Sequence, residues 1–193
     1  MLNSDISICN FALSLIGQRP IRSFDEANAR ARLCSETYST AVEIVISRLD
    51  WSFARWTEIL NTDPSIVVEE GAYAYVIPSD CITPLDVSPF GRDTKWEVMG
   101  EYIIAAAVDV LKLKYTRRIT NPTKFSIPFK NAVANLVAAQ LAGPLAGSSV
   151  TEIMKMHDSF ESDLFSTTVI DASIGSKDRG FDNDPDEDTF NKV

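Results

Sequence analysis

Residues 127–145 read Ile-Pro-Phe-Lys-Asn-Ala-Val-Ala-Asn-Leu-Val-Ala-Ala-Gln-Leu-Ala-Gly-Pro-Leu, and this stretch decides the fold. It is rich in alanine, which lets neighbouring backbones approach closely, and Lys130 is its only charged residue. A helix with so few polar residues is covered by other elements on most of its sides. We therefore predict a covered helix from Ile127 to about Leu145, broken by Gly143-Pro144 and the following Gly147.

Three other stretches show the three- and four-residue apolar spacing of amphipathic helices. The first is capped by Ser4 and extends to about Ile16. The second is capped by Asp25 and extends from about Glu26 to Leu49. The last extends from about Val150 to Thr168. Four amphipathic helices are most simply arranged as one bundle. We predict that residues 1–56 and 117–170 form this helical bundle domain.

The period of the pattern changes between the second and third helices. Ala72-Tyr-Ala-Tyr-Val-Ile and Leu111-Lys-Leu-Lys-Tyr-Thr alternate, and Lys95-Trp-Glu-Val-Met is a short run that ends at Gly100. Alternation of this kind is typical of half-buried strands. The fold predicted is therefore α+β: a four-helix bundle with an inserted small antiparallel β subdomain at residues 57–116 and an extended C-terminal tail.

The predicted tail, residues 171–193, has seven acidic and three basic residues. It has too few large apolar side chains to offset the entropy cost of ordering, so alone it should be disordered. Phe181 and Phe190 are its obvious apolar anchors for a partner. The acids between Asp182 and Asp188 resemble a calcium loop but lack its glycine and its final glutamate, so we interpret them as a solvated acidic tail, with a weak cation site as the alternative.

Composition excludes several classes of protein. The chain has 193 residues with 27 acidic and 18 basic side chains, a net charge of −9, which argues against general electrostatic binding of nucleic acid. Three cysteines, an odd number without metal-ligand spacing, argue against a disulfide framework. The first residues lack the basic segment of a signal peptide, and no apolar run approaches transmembrane length. We expect a soluble protein made in a reducing cytoplasm.

No pattern predicts catalysis. The single histidine, His157, has the helical spacing of a core or boundary residue, and a catalytic role would need a partner that spacing does not reveal. Phosphate-loop, dinucleotide and nucleophile-elbow motifs are absent. Trp51, Phe53 and Trp56 either pack in the core or stack on a ligand, and we favour the core. We expect no enzyme activity, no cofactor and no metal.

One segment has an unusual charge pattern. No acidic residue occurs from Val110 to Thr151, so the six basic side chains there leave a charge of −15 on the rest of the chain. These candidate partner-binding residues are Lys112, Lys114, Arg117, Arg118, Lys124 and Lys130. They form either a solvated edge that discourages aggregation, a contact for an acidic surface, or a phosphate contact.

Short strings along the chain, taken in order, resemble a known family. They are Asn10-Phe-Ala-Leu, Ile16-Gly17, Pro20-Ile21, Cys34, Tyr38, Trp51-Ser-Phe-Ala, Tyr75-Val-Ile-Pro-Ser-Asp, Trp96, Gly100, Tyr115, Phe129, Ala132 and Leu141-Ala142. In this order they resemble the head-to-tail adaptor (connector) proteins of short-tailed phages, namely the tail tubular protein A family of T7-like podophages. The resemblance covers about residues 3–170.

The resemblance implies a structural virion protein without catalytic residues. Such adaptors form a ring, typically of twelve copies, between the portal protein and the downstream tail (nozzle or tubular) protein, and the ring extends the DNA channel. DNA would pass through without specific binding, no membrane would be involved, and the C-terminal segment would reach the portal. The alternatives are another head-completion or neck protein, or a non-enzymatic partner-binding helical protein.

Overall fold

The chain consists of a helical part and a β part inserted into it. The computed structural model describes residues 2–88, 95–106 and 111–175. The helices described are α1 (Asp5–Leu15), α2 (Ala29–Arg48), α3 (Ile127–Ala146) and α4 (Val150–Gly175). The strands described, all between α2 and α3, are β1 (Arg55–Leu60), β2 (Ala72–Val76), β3 (Cys81–Ser88), β4 (Trp96–Met99), β5 (Tyr102–Ala106) and β6 (Leu111–Arg117).

Helix α3 is the centre of the helical part. Helices α1, α2 and α4 all pack on it, whereas α1 and α2 touch each other little. Buried side chains occur around most of its circumference, as the lack of polar residues predicts. Close approach depends on its small residues, since a Cβ atom at Gly143 would lie 3.3 Å from Ile153 Cδ1 of α4.

The prediction of a four-helix bundle with a small β subdomain and an extended tail is wrong. Because α3 is apolar on nearly every side, it accepts a neighbour on each, and the outer helices need not pack on one another as they would in a bundle. The strands form two sheets with a core of their own, so the fold is an α+β mixture. Residues 171–175 of the predicted tail belong to α4, and residues 176–193 lie outside the described part.

Two helix ends differ from prediction for local reasons. Helix α2 begins after Asn28, whose side-chain oxygen accepts the Ala31 N–H at 3.0 Å, and not after Asp25. The Glu26 carboxylate instead accepts backbone N–H groups of the preceding turn, including that of Arg22. Helix α3 continues through Pro144 and ends at Gly147, which has φ +65° and closes the last turn. At Ser4 the predicted cap is present, with reciprocal bonds to Ser7.

The β part is a small sandwich of two antiparallel sheets. Their strand orders are β1-β6-β3 and β2-β5-β4. Alternate residues of both sheets point inward and form a second core, separate from the helical one. Its buried members are Leu60, Tyr75, Val87, Ile103, Ala105, Leu111, Leu113 and Tyr115. The sandwich therefore has an inner face and an outer face on each sheet.

An aromatic cluster joins the two parts. The ring of Phe129 on α3 packs edge-on against three aromatic rings. The distance between ring centres is 5.0 Å to both Trp51 and Phe53 and 4.7 Å to Phe125. The buried Trp51 indole donates its N–H to the Val45 carbonyl at 2.9 Å. Trp51 and Phe53 thus pack in the core where the chain leaves the helical part, and Phe125 packs there where the chain re-enters it. The prediction that Trp56 also packs in the core is wrong, because its side chain is 48% exposed on β1.

Candidate partner-binding surfaces

Lys112 and Lys114 lie on the outer face of the first sheet. Both belong to β6, the central strand, and alternate with the inward-pointing Leu111, Leu113 and Tyr115. Neither ammonium group has an ion-pair partner in the described part of the chain. Lys114 lies opposite Asp86 of β3 in the register, and Lys112 lies opposite Ile59 of β1.

Arg117 and Arg118, the next predicted residues, are engaged within the molecule. Arg117 pairs with Asp80, and its guanidinium lies 4.8 Å from the centre of the Trp56 ring. Arg118 pairs with Glu43 of α2 at 3.2 Å, which links the end of β6 to the helical part. Arg117 therefore serves contacts within the β part, and Arg118 serves the contact that links the β part to the helices.

The remaining predicted residues are dispersed. Lys124 is exposed in the turn before α3, whereas Lys130 is 7% exposed and donates to the Asn3 side-chain oxygen at 3.3 Å. Phe181 and Phe190 lie outside the described residues. Of the six basic residues, the structure brings only Lys112 and Lys114 together as a free pair on one face.

A polar cluster lies at the end of the sandwich near the helices. The Tyr115 hydroxyl lies 3.0 Å from both Glu58 Oε2 and Asp80 Oδ1, so it can donate to either carboxylate. Burial and these two acceptors raise the pKa of Tyr115 above its ordinary value. Asp80 also binds Arg117, so this cluster joins β1 and β6 to the turn before β3.

A groove of about 680 Å³ runs between the two sheets along β1. It is lined by apolar side chains that are half exposed, Ile59, Val76 and Val98, together with the acidic side chains of Glu58 and Glu101. Sequence analysis missed this surface, because β1 was not recognised as a strand and β2 and β4 could not be placed in one sheet. The only sequence feature that pointed to this groove was the occurrence of apolar residues next to residues typical of turns.

Other residues considered for chemistry have unremarkable surroundings. His157 is exposed on α4. Cys9 and Cys34 are fully buried against each other between α1 and α2, and the contact with the Cys34 thiol together with burial raises the pKa of the Cys9 thiol. Within residues 2–88, 95–106 and 111–175, no cluster of potential metal ligands occurs. No helix in the same ranges is long and apolar enough to cross a membrane.

Comparison with known proteins adds no assignment. No protein-family model matches the sequence, and no curated protein is significantly similar to it. The adaptor resemblance therefore depends on the short strings quoted above and on their order along the chain.

Proposed function

We propose that the chain is a structural virion protein that forms a ring adaptor between the portal and the tail of a short-tailed phage. In this role it is made in the host cytoplasm and acts at the head-tail junction. The ring extends the DNA channel, retains the packaged genome and lets it leave on ejection. It works through protein contacts and has no catalytic step.

The observation that carries the proposal is the distribution of exposed apolar side chains. In the described part of the chain, most of the large exposed ones lie on the sandwich and its loops: Trp56, Ile59, Val67, Tyr73, Val76, Val98 and Met99. Exposed apolar patches on a folded protein mark surfaces that bind other proteins. A sandwich with such residues on more than one side suits a protein that contacts several neighbours at once.

Charge supports passage of DNA without binding. The chain has a net charge of −9, and an acidic channel wall repels phosphates and lets a duplex slide. The apolar Phe181 and Phe190 in the acidic C-terminal segment are the proposed anchors on the portal. Because the composition predicts a tail that is disordered alone, we propose that its ordering on the portal covers a large surface and delays assembly until the portal is present.

The test is reconstitution with the portal protein encoded by the same genome. We expect electron microscopy to show a ring of this protein, of about twelve copies by the adaptor resemblance, stacked coaxially on the portal. Deletion of residues 176–193, which begins after α4, should abolish docking and leave the circular dichroism spectrum and melting temperature unchanged. A well-folded monomer that does not bind the portal under any condition tested would overturn the proposal.

A matched pair of variants locates the anchor. Phe181→Ser with Phe190→Ser should weaken portal docking as strongly as the deletion does. Thr189→Ser with Asn191→Ser, which changes the neighbouring polar residues, should have no effect. Equal docking by both pairs would exclude the two phenylalanines as anchors.

A further inference from the structure

A second hollow, of about 850 Å³, lies on the outer face of the second sheet. Its floor comprises Ile104 and Met99 of the sheet, and its wall includes Val67 and Val68 of the β1–β2 connection. Val67 is 93% exposed and Met99 is 45% exposed, so the hollow is apolar and open. A water-exposed apolar hollow of this size accommodates several side chains of a partner.

The charge around this hollow is negative. Glu69, Glu70 and Glu97 line it, and Lys95 is the one basic lining residue in the described part of the chain. None of these four side chains has an ion pair in the ranges that the structure describes. A partner that fits the hollow therefore has an apolar projection with positive charges beside it.

The outer face of the first sheet has an exposed apolar side chain with positive charges beside it, at the edge that borders the groove along β1. Ile59, which is 57% exposed, lies directly opposite Lys112 in the register, and Lys114 lies one step further along the same face. Asp86 opposite Lys114 offsets one charge, so Lys112 beside Ile59 remains uncompensated. The Ile59 projection, defined as Ile59 with Lys112 and Lys114, thus has the chemistry that the hollow requires.

The two surfaces lie on the outer faces of different sheets. The inner faces of the sheets pack together in the sandwich core, so the two outer faces point in opposite directions. A contact between them must join two copies. Because the two surfaces differ, the contact is heterologous, and an open row of copies keeps one unused projection at one end and one unused hollow at the other until a ring closes.

We infer that the Ile59 projection of one copy inserts into the outer hollow of the next copy, and that this contact links the sandwiches head to tail. The inference rests on the proposed ring and specifies which surfaces hold it together. The occupant is a second copy of this chain, because its projection is apolar and positive where the hollow is apolar and negative.

Cysteine cross-linking of full-length protein tests the direction of the contact. Ile59→Cys and Met99→Cys variants are treated with a short bismaleimide, separately and mixed, both free and on the portal. We expect cross-linked dimers in the mixture and little product in either variant alone. Wild-type protein, treated in the same way, measures the background from the native cysteines. Ile127→Cys, on an exposed site of the helical part, replaces Ile59→Cys in the control mixture and should give no product.

The outcomes separate the inference from the function. Equal cross-linking within one variant alone would indicate a symmetric contact and overturn the inference. Absence of product in the mixture would overturn it as well. In either case a ring seen on the portal by electron microscopy leaves the adaptor proposal standing, and its absence removes that proposal independently.

Charge reversal gives a second readout that does not need new cysteines. Lys112→Glu with Lys114→Glu should weaken self-association roughly tenfold, and combining it with Glu69→Lys and Glu70→Lys should restore it. Lys124→Glu, which reverses an exposed charge outside both surfaces, should change nothing. Failure of the combined variant to recover association, with an unchanged melting temperature, would contradict the inference.

Discussion

The helical part and the β-sandwich of this protein use apolar residues differently. In the helical part they converge on α3, and the large exposed ones described there, Leu15, Ile127 and Met154, are scattered singly. In the sandwich a small core is accompanied by apolar side chains on the outer faces and along the groove. The helices therefore hold the larger core, and under the proposed function the sandwich supplies the contact surface.

The sharpest way to break this comparison is to remove the ring at the centre of the aromatic cluster. Phe129→Ala should lower the free energy of unfolding by about 3–5 kcal/mol, because it leaves a cavity among Trp51, Phe53 and Phe125. Ile127→Ala, at a site 73% exposed on the same helix, should change it by less than about 0.5 kcal/mol. Urea unfolding measures both, and similar losses would contradict the assignment of this cluster to the stability core.

The same experiment in the sandwich tests whether the second core stands alone. Leu113→Ala, fully buried on β6, should cost about 2–4 kcal/mol. Because the two cores are separate, we expect tryptophan fluorescence, to which Trp56 and Trp96 of the sandwich contribute, to begin changing at lower urea than the far-ultraviolet circular dichroism of the helices. Coincident transitions in the variant would show that the two parts unfold as one unit.

The hydroxyl groups of two tyrosines distinguish the two parts by their hydrogen bonding. Tyr115→Phe should cost about 1–2 kcal/mol, since it removes the hydroxyl that Glu58 and Asp80 accept from. The Tyr38 hydroxyl, on α2, is buried without a hydrogen-bond partner in the described residues, so Tyr38→Phe should be neutral or slightly stabilising. The reverse order of stability in thermal melts would show that the Tyr115 cluster contributes nothing.

The same tyrosines predict how the free energy of unfolding falls at alkaline pH. Burial raises the pKa of Tyr38 and of Tyr115 in the folded state, so the folded protein holds both protons more tightly than the unfolded chain does. Their contribution is therefore complete below the unfolded tyrosine pKa of about 10 and is lost as pH rises above it. Each Tyr→Phe variant should lose less stability than wild type between about pH 9 and 11. Parallel curves for all three proteins would refute this.

A small effect on stability, with a larger one on assembly, is expected along the groove. Val98→Ser, at a half-exposed position, should change the free energy of unfolding by less than about 1 kcal/mol but weaken assembly on the portal. Val137→Ser, fully buried on α3, is the matched control and should cost more than about 2 kcal/mol. A large stability loss in Val98→Ser would mean that the groove serves the fold.

The sequence allowed the elements with strong local signals to be predicted. Helix α3 is recognisable because a long alanine-rich stretch with one charged residue predicts a covered helix, and strand β6 is recognisable because apolar and charged residues alternate over most of it. Strand β3 was missed because Pro84 and two irregularities of register interrupt it, and β5 because Tyr-Ile-Ile-Ala-Ala does not alternate. Helix arrangement could not be predicted, since the spacing along one helix does not show which other helices it contacts.

The candidate surfaces depend on contacts that no local pattern contains. Six basic residues in one segment suggested a positive surface, but the partners of Arg117 and Arg118 are Asp80 and Glu43, which lie far away in the sequence. Ile59 could be identified as part of a candidate surface only from its position opposite Lys112 in the strand register. Long-range pairing of strands therefore accounts for most of what sequence analysis missed.

The way in which the sandwich is attached determines whether it can be removed or exchanged without disturbing the helical part. The polypeptide leaves the helices at Arg55 and returns after Arg117, and Arg55 pairs with Thr116 in adjacent strands, so both crossings lie side by side. A short link from Ala54 to Arg118 would close the helical part without the insert. The sandwich is thus a cassette, and exchanging it would give the same helical frame a new set of neighbours.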